Sequence, residues 1–279
     1  MLLFKHPLST SKENIHDMKG NIINPVWESR KYYDCAKKGS LDTRYFGMKI
    51  LKRHAKDAEK ILDLGCGEGT RLKYLADSKK GVGVDISGKA INIAQKSYPN
   101  LEFIRANLEI LPFEDNTFDL VYSAFVLEHL ENPEKVILEA IRVTKKGGVL
   151  GFIAPNYGAP NRASPVFLGS RLNKFFWGFI YDCIPVLYRK NSLSWSKVKP
   201  QVETKKYFQD SDTQTEPYLR ILIKFLSSKG LKIVEFSSCW EEELVKPKLH
   251  QNIFKFLGKS DIYPFKFWGP HLVVLANKI

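Results

Sequence analysis

Between residues 60 and 155 the chain alternates short runs of Val, Ile, Leu and Phe with stretches whose apolar residues recur every three or four positions. Lys60–Leu64 reads as a strand that stops at a glycine cluster, Gly65, Gly67 and Gly69. Residues 71–80 follow as a helix, with Leu72 and Leu75 on one face and Lys79 and Lys80 at the C-terminal end, where cations complement the dipole. Residues 81–85 form a second strand, and Ser87 N-caps a helix carrying Ala90, Ile91 and Ala94. Residues 101–106 and 118–123 are the third and fourth strands. Asn132, Pro133 and Glu134 combine an N-cap, a proline at N1 and a first-turn acid, so a helix runs through Val136, Ile137 and Ile141. Gly147 and Gly148 close that unit, and residues 149–154 are the fifth strand. Strands spaced by helices in this way predict βαβ units around a parallel sheet, an α/β fold.

The rhythm stops at Pro155. To about residue 215 there are prolines, aromatics and basic residues without alternation. A helix over 218–229, a terminating Gly230, a strand over 231–236 and a last apolar run over 271–276 resume it. There is no internal repeat.

Composition narrows the class. With 44% apolar residues the chain can bury a sizeable core. No apolar run approaches the roughly 20 residues that span a bilayer, and the opening Met-Leu-Leu-Phe is too short for a signal peptide, so a cytoplasmic protein is expected. Cys35, Cys66, Cys183 and Cys239 lie far apart, without a Cys-x-x-Cys pair. That spacing excludes a zinc site of the usual pattern, argues against a disulfide framework, and leaves no metal expected. The net charge of +13 is uneven: residues 1–57 carry +6, residues 58–160 carry −2, and the remainder carries +9. The basic flanks meet any anion or anionic surface first.

The glycine cluster carries the chemistry. Glycines between a first strand and a first helix let backbone approach a ligand closely. A dinucleotide fingerprint would need its third glycine at position 70, which is Thr70, and no Gly-Lys-Ser/Thr follows for a phosphate-binding P-loop. Asp85 ends the second strand 20 residues after Gly65, where an acid accepts hydrogen bonds from both hydroxyls of a ribose.

Residues 63–69, Asp-Leu-Gly-Cys-Gly-Glu-Gly, resemble the first motif of class I S-adenosylmethionine-dependent methyltransferases. The resemblance continues through residues 106–113 and 116–121, which look like the family's adenine-contacting loop and fourth strand. It extends to Ser123–His129 and Lys145–Gly148, which match its ubiquinone-biosynthesis-like branch. Asn107 stands where that family usually has Asp, and Lys146 where it has Pro. The match covers about residues 58–156.

The resemblance implies a three-layer, Rossmann-like, seven-stranded sheet with a reversed last strand and an insertion after the fifth strand. It implies S-adenosyl-L-methionine as cofactor, held by Asp63, Gly65, Cys66, Gly67, Gly69, Asp85, Ile86, Asn107, Leu108 and Ser123. It identifies no catalytic residue: His129 belongs to a Leu-Glu-His run that recurs across different acceptors, which favours a structural role.

Residues 1–57 are expected to form a basic, helical cap segment, and residues 58–279 the methyltransferase domain, with an acceptor-site or lid insertion at about 157–214. The leading function is methyl transfer to a small-molecule or glycan acceptor, at oxygen. An RNA methyltransferase and a non-catalytic cofactor-binding scaffold subunit are the alternatives. Nucleic acid is disfavoured because the basic residues form no dense run. Residues 171–190 hold Phe175, Phe176, Trp177, Phe179 and Tyr181 between basic ends, and read either as a lid helix or as a segment at a membrane periphery.

Overall fold

In the computed structural model, residues 15–16, 22–23, 25–29, 32–33, 45–77, 79–184, 192–201, 209–242 and 249–279 are described. One seven-stranded sheet organises them: β1 (Lys60–Leu64), β2 (Lys80–Asp85), β3 (Glu102–Arg105), β4 (Phe118–Ala124), β5 (Thr144–Pro155), β6 (Leu231–Ser237) and β7 (His271–Lys278). Their order across the sheet is β6-β7-β5-β4-β1-β2-β3. The five strands from β1 to β5 pair in parallel, and β7 runs antiparallel to both neighbours, β5 and β6. The chain order reverses beside β1, which opens a crevice at the carboxyl ends of β1 and β4, the usual ligand position in such sheets.

Alternating side chains feed two cores. Ile61 enters one with Tyr122, Ile153, Val273 and Leu275, covered by α1 (Phe46–Ala55), α2 (Thr70–Ala76) and α3 (Gly88–Ser97). Leu62 and Leu64 enter the other with Val121, Leu150 and Phe152, covered by α4 (Pro133–Val143) and α6 (Leu219–Ser228). Two further helices, α5 (Arg171–Cys183) and α7 (Leu249–Lys259), attach through aromatic rings. Phe175, Phe179 and Phe254 all lie against the fully buried Trp268, with centroids 5.8, 6.1 and 5.7 Å away.

Several local expectations change. The helix expected over 71–80 ends at Ala76, because Asp77 takes a left-handed φ of 52° that a helix cannot continue through. Asn132 does not cap α4; its side-chain amide donates to Glu109 Oε1 instead, at 3.0 Å. The fifth strand starts five residues earlier than its apolar run, at Thr144, with Gly147 at φ 77° absorbing an irregularity against β4. Ser87 caps α3 as expected, accepting the Ala90 N–H at 3.1 Å. Helix α1 lies within the segment expected to be helical, whereas α7 lies where no regular element was anticipated. Among the described residues, no helix is long and apolar enough to cross a membrane.

Candidate functional site

The glycine loop joins β1 to α2 and is anchored at its start. Val84 O accepts from both Gly65 N (2.8 Å) and Cys66 N (3.0 Å), which bends the chain over the end of β2. Gly65, Gly67 and Gly69 all have positive φ, but they serve different ends. A Cβ on Gly65 would strike Val126, and one on Gly69 would strike the Phe103 ring at 2.7 Å, so both glycines are required by packing. A Cβ on Gly67 would meet nothing within 4 Å. Gly67 faces open space, and its N–H donates to Asp85 Oδ2 at 2.9 Å.

Asp85 is fixed twice. Its other carboxylate oxygen, Oδ1, accepts the Ser87 N–H at 2.9 Å. Each oxygen keeps a further lone pair for an incoming donor. Desolvation pushes its carboxyl up to about 6, opposed by these two backbone bonds. Asp63 lies deeper, buried beside Tyr122, its partner in the β1–β4 register. The Tyr122 hydroxyl donates to Asp63 Oδ2 at 2.6 Å. Burial pushes the Asp63 carboxyl up to about 7 despite that bond and the nearby Arg71 charge. Arg71, in the first turn of α2, donates to Ala124 O at 3.2 Å and lies 5.0 Å over the Phe125 ring.

The remaining expected residues divide. Ile86 follows Asp85 at the crevice edge, its carbonyl accepting Arg105 Nε at 3.0 Å. Asn107 Oδ1 accepts the Glu109 N–H at 2.9 Å, which shapes the loop after β3. Leu108 is buried in the core beneath that loop. Cys66 packs against Gly83, and burial keeps its thiol protonated. Ser123 is fully buried and donates to Leu64 O at 3.1 Å, a bond that joins β4 to β1.

Sequence reasoning missed a second wall. The 3-10 turn Pro25–Glu28 and the buried Tyr33 lie against the Asp85 side of the crevice. Glu28 accepts the Gly88 and Lys89 N–H groups at 3.0 and 3.1 Å, closing the start of α3 with an acid where the dipole favours one. Ser87 Oγ donates to Trp27 O at 2.7 Å. Desolvation and the Asp85 charge push the Tyr33 hydroxyl well above its ordinary range. The pairing of Trp and Tyr so far upstream of the glycine loop carried no spacing signal.

Across the crevice, the turns after β4 and β5 gather polar groups. Glu128 and His129 lie on the 3-10 turn Leu127–His129, and Glu128 O accepts Gln214 N at 2.8 Å. His129 Nδ1 lies 3.3 Å from Asp212 Oδ2, which also accepts Trp27 Nε1 at 2.8 Å. Tyr157, just past β5, donates its hydroxyl to Asp210 Oδ2. Lys174 of α5 donates to Tyr157 O at 2.7 Å and pairs with Glu216, which ties α5 to this wall. The expected lid segment is split by this arrangement: Phe175 faces inward, whereas Trp177 is 57% exposed and Leu172 81%. Residues 185–190 lie outside the described residues.

The sheet with a reversed last strand, and a β1 glycine loop that faces an acid at the end of β2, make this an α/β domain with a ligand-sized crevice at its strand ends. Residues 62–152 match the family model described as a methyltransferase domain. Over 104 residues the chain is 35% identical to the demethylmenaquinone methyltransferase of Renibacterium salmoninarum, covering 36% of this chain and 44% of that one. Over 110 residues it is 29% identical to the ubiquinone/menaquinone biosynthesis C-methyltransferase UbiE of Campylobacter jejuni, covering 37% and 47%. The matched stretch therefore spans less than half the length of these curated relatives. The fold is similar to that of an S-adenosylmethionine-dependent methyltransferase from Mesorhizobium loti, with TM-score 0.52, 19% identity, and coverage of 82% of this chain and 96% of that one. Over residues 62–152 the chain matches a methyltransferase domain, and in that stretch it is similar to S-adenosylmethionine-dependent methyltransferases, ubiquinone/menaquinone-biosynthesis enzymes among them, which makes S-adenosylmethionine the cofactor that the matched domain implies.

Proposed function

We propose that this protein transfers a methyl group from S-adenosylmethionine to the oxygen of a small-molecule acceptor. The observation that carries the reading is the Asp85 carboxylate, pinned by the Gly67 and Ser87 N–H groups beside an open Gly67 face. A pre-set carboxylate with free lone pairs suits the two ribose hydroxyls, and the bare backbone at Gly67 admits the cofactor without displacing a side chain. Asp63 and Arg71 offer opposite charges near the glycine loop, matching an ammonium and a carboxylate. Asn107 and Leu108 line the adenine side, with Asn107 keeping an acceptor lone pair for an amino group. Gly65, Cys66, Gly69, Ile86 and Ser123 shape the crevice rather than reach into it.

When bound, the cofactor supplies a methyl group on a sulfonium, ready for in-line displacement. The chain's part is alignment and exclusion of water. The Trp27 turn and Tyr33 cover the ribose side, and residues after β4 and β5 form the acceptor side. Residues 1–57 and 157–214 are proposed as the acceptor-defining segments around the core. The named relatives are a demethylmenaquinone methyltransferase and a ubiquinone/menaquinone biosynthesis C-methyltransferase, which favours an apolar acceptor, and we infer that it is met at a membrane surface.

A specific feature supports that meeting place. Leu172, Phe176 and Trp177 of α5 and Leu249, Ile253 and Phe256 of α7 are exposed, and the exposed residues of the two helices include no carboxylate. Exposed apolar side chains on helices that also expose Arg171 and Lys259 suit the headgroup layer of an anionic membrane. Incubation with methyl-labelled cofactor and separate lipid and aqueous extracts tests the reading. Label in a lipid-phase product supports it; label in RNA, or in no product while cofactor binds tightly, favours the RNA or scaffold alternative.

A further inference from the structure

Across the crevice from Gly67, three side chains with ligating atoms meet although they are distant in sequence or carry no spacing signal. A carboxylate oxygen of Glu128, a ring nitrogen of His129 and a carboxylate oxygen of Asp210 all lie within 4.8 Å of one another. Glu128 is 1% exposed, and its Oε2 is buried without a hydrogen-bond partner. Asp212, fully buried beside the cluster, likewise has an unpartnered Oδ1. The ion-pair partner of both Glu128 (3.7 Å) and Asp212 (3.3 Å) is His129 itself. Three carboxylates thus converge on one imidazole, two of them buried (Glu128 and Asp212) and one, Asp210, half-buried toward the crevice.

The imidazole is already oriented. Its Nδ1 lies 3.3 Å from Asp212 Oδ2, which is held by Trp27, but is buried without a hydrogen bond, while its Nε2 lies 3.7 Å from Glu128 Oε1. A histidine that ligates a metal through one nitrogen commonly turns the other toward a carboxylate in this manner. Two donors about 2.1 Å from one ion stand roughly 3–4 Å apart, and the Nε2–Oε1 separation of 3.7 Å falls within that span. Asp210, the third donor, is steadied by the Tyr157 hydroxyl.

We propose that Glu128, His129 and Asp210 form a binding site for a divalent transition-metal ion. One imidazole and two carboxylates suit ions such as Mn²⁺ or Zn²⁺ better than Ca²⁺, which prefers oxygen alone. Three protein donors leave further positions to water or to an oxygen of an acceptor. The site lies on the wall opposite Gly67 and Asp85, and none of its three donors is a residue assigned to the cofactor, so metal binding and cofactor binding can be measured separately.

Metal-stripped full chain titrated calorimetrically with Mn²⁺, Zn²⁺ and Ca²⁺ tests this. One Mn²⁺ or Zn²⁺ should bind per chain with micromolar affinity or better, and Ca²⁺ more weakly. Glu128→Gln and Asp210→Asn should each weaken binding by about tenfold or more, while keeping the wild-type thermal stabilisation by S-adenosylhomocysteine. Spin-echo modulation from a histidine nitrogen should appear in the wild-type protein loaded with Mn²⁺, a readout that needs no variant. No saturable binding below millimolar metal, unchanged affinity in both folded variants, preference for Ca²⁺, or absence of the nitrogen signal would each overturn the proposal.

Discussion

The indole N–H of Trp27 donates to Asp212 Oδ2 at 2.8 Å, linking residues 185 positions apart. Through its carbonyl the same residue accepts Ser87 Oγ at 2.7 Å. One residue, through its backbone carbonyl and its indole, therefore joins the ribose side of the crevice to the acceptor side. Trp27→Phe keeps a ring but strands a buried carboxylate that already has one unpartnered oxygen. It should cost about 2 kcal/mol, the range for a hydrogen bond to a charged group. Urea denaturation monitors it; an unchanged midpoint and slope would mean that the link holds nothing.

Gly67 and Gly69 should respond in opposite ways to alanine. Both have positive φ, which costs roughly 1–2 kcal/mol for a residue with a Cβ. At Gly69 the new methyl also meets the Phe103 ring at 2.7 Å, so Gly69→Ala should be the more destabilised protein. At Gly67 it meets nothing within 4 Å and enters the crevice. Gly67→Ala should retain more stability yet lose most cofactor affinity. Thermal melts with and without S-adenosylhomocysteine separate the two; equal retention of ligand response would remove Gly67 from the site.

Asp63 makes stability depend on pH in a definite direction. Its carboxyl, near 3.8 when solvated, is pushed up to about 7 in the fold. The native state therefore holds a proton that the unfolded state releases between those values, and stability falls as pH rises from about 4 to about 7. Asp63→Asn removes this term, while Tyr122 can still donate to the amide oxygen. At pH 8 the ligand-free variant should be more stable than wild type by up to about 4 kcal/mol, with the advantage disappearing near pH 4. Denaturation at the two pH values checks it, and a variant less stable at pH 8 would contradict it.

The exposed face of α5 and α7 should matter to lipid and not to folding. Trp177 is 57% exposed and Phe256 69%. Trp177→Ala with Phe256→Ser should therefore change stability by less than about 1 kcal/mol, while reducing sedimentation with anionic vesicles. A large loss of stability, or unchanged vesicle binding, would argue that the face packs on protein.

Much of this was legible in the chain because it is local. The strand-then-glycine transition at Leu64–Gly65, the acid closing β2 and the Ser87 cap each depend on neighbours a few residues away, and each takes its expected place. The reversed β7 followed from the family resemblance rather than from its apolar run alone. What could not be read was the work of long-range partners. Ser123, expected at the cofactor, has its hydroxyl in a bond that joins two strands, and Asn132 looked like a cap but serves Glu109. Trp27 and Glu28 reach the crevice through hydrogen bonds with residues 60 or more positions away, and Tyr33 lies near Asp85 and Ser87, more than 50 positions on, which no periodicity encodes. The Glu128–His129–Asp210 cluster arises because the turn after β4 meets the insertion that carries Asp210, and nothing in the Leu-Glu-His run announces that third donor. Helix α7 escaped notice because its apolar face is exposed beside basic residues.

The most direct measurement is calorimetric titration of S-adenosylmethionine into wild-type protein and Asp85→Ala at pH 8, where Asp85 is ionised. Wild type should bind one cofactor per chain. The variant loses the acceptor for two ribose hydroxyls and the anchor of the Gly67 N–H, and should bind about 2–4 kcal/mol more weakly, roughly thirtyfold to a thousandfold. Wild-type affinity in a folded Asp85→Ala protein would contradict the placement of the cofactor in this crevice.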